Sequence, residues 1–370
     1  EKIIQLAALL HDIGKFWQGA GEKGKHSELS SRFIQEYVPE QWRGAAGLVA
    51  LHHNTSARRS EGYRDLKTII CADWLSSGER RGLAEDEDKG ERKATPLRSI
   101  FSGIYIGKGT PGPAQYYPIK KLELNKEVIF PKPLEGKKGV DRLKGDYTGL
   151  WGEFVEEVDG IKTITYFDAY FNTLYHLLQK YTWCVPSAVW KDIPDISLFD
   201  HLKTTCAIAA CLCDAEEEYL DDLIKAMSKR YEIKDELRRE GVKDAEIIQK
   251  IEERWAKWTE DAGAEWSEIK EAYEEEKKFL LVGGDISGVQ RFIYQLSSPE
   301  KAQKGMSKRL RGRSFYLSLL TETFAHYILG EMNLPTTNLL WCGGGRFYIL
   351  TANTDSIVQE LERIKRKKNK

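Results

Sequence analysis

The apolar positions of this chain change their spacing along its length. From residue 1 to about 82 they recur at helical intervals. "EKIIQLAALLHDIGKF" carries an apolar stripe, "SELSSRFIQEYV" follows behind a Ser27 cap, "EQWRGAAGLVALHHN" comes after Pro39, and "RDLKTIICADWLSSGERRG" ends at a glycine. Between 83 and 165 the periodicity fades and turn formers crowd "GKGTPGPAQYYP" and "IFPKPLEGKKG". That stretch reads as loops with short strands, an extended excursion. Helical spacing returns over 166–213 in "FDAYFNTLYHLLQKYTW" and "DISLFDHLKTTCAIAACLCDA". Residues 214–278, dense in Glu and Lys, predict solvent-exposed helices forming a bundle or spacer; the tryptophans of "ERWAKWTEDAGAEW" read as packing within it. Past 279 the pattern changes again. "FLLVGGD" (279–285) reads as a buried strand, "SKRLRGRSFYLSLLTETFAHYILGEM" as a long helix, "NLLWCGGGRFYILT" as two strands around a glycine turn, and "DSIVQELERIKRKK" as a further helix.

The predicted fold class is therefore α+β. An all-α first domain is split by the excursion (1–82 and 166–213), a charged helical spacer follows, and residues 279–370 form a βαββα unit, a ferredoxin-like split βαβ lacking its last strand. The chain begins with Glu rather than Met and stops one strand short of a closed unit, which reads as a truncation. Its 370 residues suffice for two or three domains.

Charge and cysteines narrow the classes. A net charge of −1 creates no global field toward nucleic acid, so a polyanion site must be built from local clusters. No apolar run approaches the length of a bilayer span and no signal peptide is visible, which predicts a cytoplasmic protein with no membrane partner. Six cysteines form no C-x-x-C pair, so a structural zinc site is not expected. Cys206, Cys211 and Cys213 lie in an apolar helical run and read as small core residues.

The histidines carry the chemistry. His11 follows Ile4 by seven and Ala8 by three, which puts it on the apolar stripe, with Asp12 beside it. His26 shares a side with Leu29 and Phe33. His52 and His53 close the third helix. Asp73 follows Leu66, Ile69 and Ile70 by seven, four and three, so a carboxylate points inward, a costly position without a partner. His201 lies on a stripe with Leu198, Thr205 and Ile208. Each signal alone has an ordinary explanation, such as a helix end or a local hydrogen bond. Together, imidazoles and carboxylates suit Mn, Fe, Co, Ni or Zn, with Mg a further candidate, and two ions clamping an in-line displacement are the usual means of phosphodiester cleavage.

"HDIGKF", "KHSELSSRF", "ALHHN" and "CADWLSSGER" resemble the HD-superfamily nuclease domain, in particular that of the large, polymerase-like subunit of type III-A CRISPR effector complexes. In that family the HD domain is circularly permuted, and "SLFDHLKTTCAIA" with His201 fits the displaced helix. The resemblance implies two divalent transition-metal ions, Mn or Ni first. His11, Asp12, Asp73 and His201 would hold one, and Asp12, His26 and one or both of His52 and His53 the other. His11 and Asp12 would be catalytic. Lys15 would meet a phosphate or remain a solvated side chain. The implied partners are single-stranded DNA, the other subunits of the complex and, through them, a guide RNA.

"GGDISGVQRFIY" and "WCGGGRFYI" form a second constellation. Asp285 ends a strand and Ser287-Gly288 opens a turn into a helix, where backbone N–H groups suit an anion. Polymerase and cyclase palms place further carboxylates on the adjacent hairpin; here it reads Gly343, Gly344, Gly345, Arg346. One carboxylate predicts a palm that binds ATP without polymerising it, like the first palm of the same subunit. Without a GGDD hairpin, cyclic oligoadenylate synthesis is not expected of this chain alone. "KGMSKRLRGR" (304–313) would contact phosphates or remain a solvated helix start. The leading expectation is a metal-dependent single-stranded DNA nuclease. The alternatives are an HD phosphohydrolase acting on a nucleotide and a non-catalytic scaffold subunit.

Overall fold

The structure, a computed structural model, describes residues 1–54, 62–77, 94–104, 112–134, 136–189, 193–242, 244–274, 277–294 and 305–368. The chain divides into two compact units, Glu1–Glu276 and Lys277–Lys370.

In the first unit, helix α1 (Lys2–Leu10) is the buried axis, with Leu6, Ala7, Ala8, Leu9 and Leu10 fully covered. Short α2 (Gly14–Gly19), α3 (His26–Tyr37), α4 (Ala45–Leu51) and α5 (Arg64–Ser76) follow. Helix α3 opens one residue before the expected Ser27 cap, behind Lys25 and without a side-chain cap. The glycine expected to end α5 lies outside the described residues.

The excursion differs from expectation. Residues 83–93 and 105–111 lie outside the described residues. The two-residue strands β1 (Gln115–Tyr116) and β2 (Lys132–Pro133) pair antiparallel, flanking a single turn of helix, α6 (Lys126–Ile129). Residues Gly136–Gly160, however, form the 25-residue helix α7. Its glycines depress helix propensity, but Tyr147, Leu150, Trp151, Phe154 and Val158 fall on one face and are buried. Phe154 packs against the rings of Phe16 and Phe33 on α2 and α3, and of Tyr181 on α8 (Phe167–Thr182), at 5.6–5.7 Å between centroids. The stretch read as loops thus supplies a wall of the helical core. Phe154→Ala should cost about 3–5 kcal/mol of stability in a thermal or denaturant melt; a loss below about 1 kcal/mol would show that α7 is not integral to this core.

Helix α9 (Leu198–Leu212) starts where Ser197 accepts from the Asp200 N–H at 3.0 Å. It packs on both α1 and α5, each more than a hundred residues away in sequence. Helices α10 (Glu217–Arg239), α11 (Asp244–Asp261) and α12 (Ala264–Glu274) share a smaller core around Ile233, Leu237, Ile251, Trp255 and Ile269. Buried Lys67 on α5 ties α10 down through Glu217 and Asp221, each at 2.7 Å.

In the second unit, β3 (Phe279–Asp285), β4 (Leu339–Gly343) and β5 (Arg346–Ala352) form a sheet of order β3-β5-β4, antiparallel at both pairings. Between β3 and β4 run α13 (Val289–Tyr294) and α14 (Met306–Glu331), and α15 (Asp355–Lys368) follows β5. Ala325, Ile328 and Leu329 of α14 and Ile364 of α15 pack with Phe347 and Ile349 of β5. The strand at 279–285 is not buried as its apolar run suggested. It lies at the edge of the described sheet, alternating half-buried and exposed residues, with Leu281 57% exposed. Among the described residues no helix is long and apolar enough to cross a membrane.

Candidate metal centre

The site forms where α1 ends. His11 and Asp12 leave the helix at its buried C-terminus, and Gly14 lets α3 approach. A Cβ on Gly14 would stand 2.1 Å from the His26 carbonyl oxygen, so only glycine admits this contact. His26 thereby reaches Asp12 from α3, His52 and His53 come from the end of α4, Asp73 from α5, and His201 from α9.

The Asp12 carboxylate is shared. Its Oδ2 lies 3.4 Å from His11 Nε2 and 3.2 Å from His201 Nε2; its Oδ1 lies 3.2 Å from His26 Nε2 and 3.9 Å from His52 Nε2. Asp73 Oδ1 sits 3.5 Å from His11 Nε2 and 3.2 Å from His201 Nε2. Two groups result, His11–Asp12–Asp73–His201 and Asp12–His26–His52–His53, each with one ligand atom per residue within 4.8 Å of the others. The first group is wholly buried, and in the second only His53 is exposed. All seven metal candidates of the sequence are in one place.

These donors fit metal ions. Ring nitrogens face one another, His11 Nε2 and His201 Nε2 at 3.2 Å and His26 Nε2 and His53 Nε2 at 2.8 Å. Ligand atoms around one ion at about 2 Å stand roughly 3–4 Å apart. Asp12 Oδ1 and His52 Nε2 are buried and make no hydrogen bond. Two of the rings are also oriented from behind. Nδ1 of His11 donates to the Ala8 carbonyl at 2.8 Å and Nδ1 of His52 to the Val49 carbonyl at 2.6 Å. Carbonyls only accept, so both rings carry hydrogen on Nδ1 and turn Nε2 to the centre.

The electrostatics follow from enclosure. Burial alone would lower the pKa of His11, but Asp12 and Asp73 outweigh it and push His11 up to about 10. Burial would raise Asp12; Lys15, His11 and His26 instead hold it well below the carboxylate range. Asp73 is likewise held low against burial by His11 and His201. Burial lowers His52; His53 is exposed as a residue, but the enclosure of its ring, with the neighbouring His52 and His26, lowers it well below its usual value. Lys15 is neither solvated nor directed outward. It is 5% exposed, with Nζ 2.7 Å from Asp12 Oδ2.

Residues 1–90 match the HD domain family, and residues 278–370 match the family described as Csm1 subunit domain B. The chain is 34% identical to a Methanocaldococcus jannaschii protein named CRISPR system single-strand-specific deoxyribonuclease Cas10/Csm1 (subtype III-A), over 97% of this chain and 42% of that one. Over nearly its whole length the chain is a relative of the Cas10/Csm1 proteins. A relative of the same name from Enterococcus italicus is 28% identical over 95% of this chain and 42% of its own length. The chain thus spans about two fifths of the length of the curated relatives it matches. Among solved structures, Csm1 of T. onnurineus aligns over 98% of this chain and 41% of its own, with TM-score 0.59 and 26% identity. A Csm1-Csm4 cassette in complex with cA4 aligns over the same shares with TM-score 0.55 and 25% identity. The α+β class agrees with these relatives.

The second constellation is also assembled, within the second unit. Asp285 and Arg346 are paired in register across β3 and β5, and Arg346 Nε donates to Asp285 Oδ1 at 2.9 Å, both side chains exposed. Gly343 ends β4. Gly344 and Gly345 have φ of 58° and 86°, the left-handed pair of a tight hairpin, so the turn itself calls for glycine at both positions. Ser287 and Gly288 form the turn from β3 into α13. In the basic run, Arg313 donates to the carbonyls of Phe292 and Ile293 and so caps α13; Lys304 lies outside the described residues. Sequence reading missed Gly14, whose signal was a glycine beside the His-Asp pair, and Ser76, Ser77 and Thr205, whose place behind the ligands no spacing revealed.

Proposed function

We propose that this chain is the catalytic part of a divalent-metal-dependent single-stranded DNA nuclease of a type III-A CRISPR complex. The division of the Asp12 oxygens between two ligand groups carries this reading, because it suits one carboxylate bridging two cations. His11, Asp73 and His201 would complete the ligand set of one ion, and His26, His52 and His53 that of the other. Such ions supply positive charge to the phosphodiester and lower the pKa of attacking water. The chain's own residues do the rest. Lys15 clamps Asp12 Oδ2 and balances the carboxylate charge, the Nδ1 contacts of His11 and His52 fix ring orientation, and exposed His53 marks the side from which DNA reaches the centre. The imidazole-rich donors favour Mn or Ni over Mg, with Co or Fe also suited. The packing of α9 on α1 and α5 supports a permuted HD domain, completed at 166–213 and followed by the helical segment 214–278.

In the second unit, β5 lies between β3 and β4, which run parallel and are joined by helices. This order supports the ferredoxin-like palm over 279–370. The palm would hold ATP near Asp285, Ser287, Gly288, Gly343, Gly344, Gly345 and Arg346, without polymerising it. Structures of Csm1-Csm4 cassettes with one ATP or with cA4 support a Csm4-type partner and a nucleotide ligand. Guide RNA would be reached through the other subunits, in the cytoplasm.

The test incubates the purified chain with single- and double-stranded DNA and Mn2+, Ni2+ or Mg2+. Cleavage should be confined to single strands, vanish in the His11→Ala/Asp12→Ala double variant, and persist in Asp285→Ala. Undiminished cleavage by the double variant would remove the assignment.

A further inference from the structure

We propose that Ser76 is a positioning residue that fixes which ring nitrogen of His201 faces the metal centre. The proposal deepens the metal reading above and rests on it for its consequence, but not for its geometry. His11 and His52 are oriented by carbonyls of their own helices. His201 has a different arrangement. Its Nδ1 lies 3.1 Å from the Ser76 hydroxyl, at the end of another helix.

That hydroxyl is saturated in only one way that serves all its neighbours. It owns one proton and two lone pairs. The proton goes to the Asp73 carbonyl oxygen at 2.9 Å, which can only accept. The Thr205 hydroxyl, 2.7 Å away, then donates to Ser76, and the remaining lone pair accepts from His201 Nδ1–H. With hydrogen on Nδ1, the Nε2 lone pair of His201 points between Asp12 and Asp73, 3.2 Å from each. That is the tautomer a ligand needs. Ser77, next in sequence, donates to Asp73 Oδ1 at 3.4 Å. Two consecutive serines ending α5 thus steady ligands from α5 and α9.

A purely structural role would instead make Ser76 and Thr205 a tie between helices. Three forms separate the two: wild type, Ser76→Ala, and Ser76→Thr, which keeps the hydroxyl. Mn2+ affinity is measured by calorimetry beside the melting temperature, and long-range 1H–15N spectra of the metal-free chain, with the ring neutral, report the His201 tautomer. Wild type and Ser76→Thr should show the Nδ1–H form. Ser76→Ala should show a tautomer mixture and bind Mn2+ about 10- to 100-fold more weakly. An Nε2–H ring in the wild type overturns the proposal. So does a Ser76→Ala variant with wild-type tautomer and affinity, whatever its melting temperature. If the wild type shows the Nδ1–H ring but binds no Mn2+, the metal reading fails while the positioning by Ser76 stands.

Discussion

Asp12→Asn should empty both ligand groups at once, whereas Asp73→Asn and His53→Ala should each empty one. The asymmetry follows from the carboxylate's placement. Oδ2 faces His11 and His201, Oδ1 faces His26 and His52, and no other side chain belongs to both groups. Metal content measured after equilibration with Mn2+ should therefore fall from two ions to none in Asp12→Asn and to one in the other two variants. Charge stabilisation by bound cations amounts to several kcal/mol of transition-state energy, so DNA cleavage by Asp12→Asn should fall about a thousandfold or more. The metal-free fold should weaken as well. Lys15 and His11 are both enclosed and both draw on this charge, and neutralising one member of a buried ion pair costs about 3 kcal/mol or more. The chelator-treated variant should thus melt below chelator-treated wild type. Two ions retained by Asp12→Asn would show that the groups do not share a ligand.

Metal loading should release a proton, with apparent affinity rising about tenfold per pH unit until His11 has lost its own. In the metal-free chain His11 is pushed up to about 10, so it carries a proton throughout the neutral range, and a cation can take Nε2 only after that proton leaves. The sign is fixed by the competing forces. Burial opposes the charge, and the two flanking carboxylates override it. Because the folded value lies above the unfolded 6.5, the proton stabilises the metal-free fold fully below about pH 6.5. That contribution is lost as pH climbs through about 10. His52 and His53 are shifted the other way by burial and are already neutral ligands. Calorimetry of Mn2+ binding in buffers of different ionisation enthalpy would count the protons released, about one per chain from His11. Affinity independent of pH between about 6 and 8.5 would contradict the enclosed, protonated His11.

Much of the site was legible because helical side chains obey a local rule. Spacings of three, four and seven placed His11, Asp73 and His201 on core-facing stripes, and those faces are buried in the structure. Other features resisted reading for physical reasons. Gly136–Gly160 looked like turns because glycine is a poor helix former, yet its apolar face at 147, 150, 151, 154 and 158 finds α2, α3 and α8, and packing overrides propensity. Strand 279–285 looked buried because a continuous apolar run does not say how many neighbours a strand will have. The sequence by itself determined the helical faces, the ligand types and the period change at the second unit, since each depends only on neighbours a few residues away. Tertiary structure alone decided that α9 lies against α1 and α5, that the Asp12 oxygens part company, and that Ser76 meets His201. Those contacts join segments distant along the chain, and no local spacing encodes the distance between them.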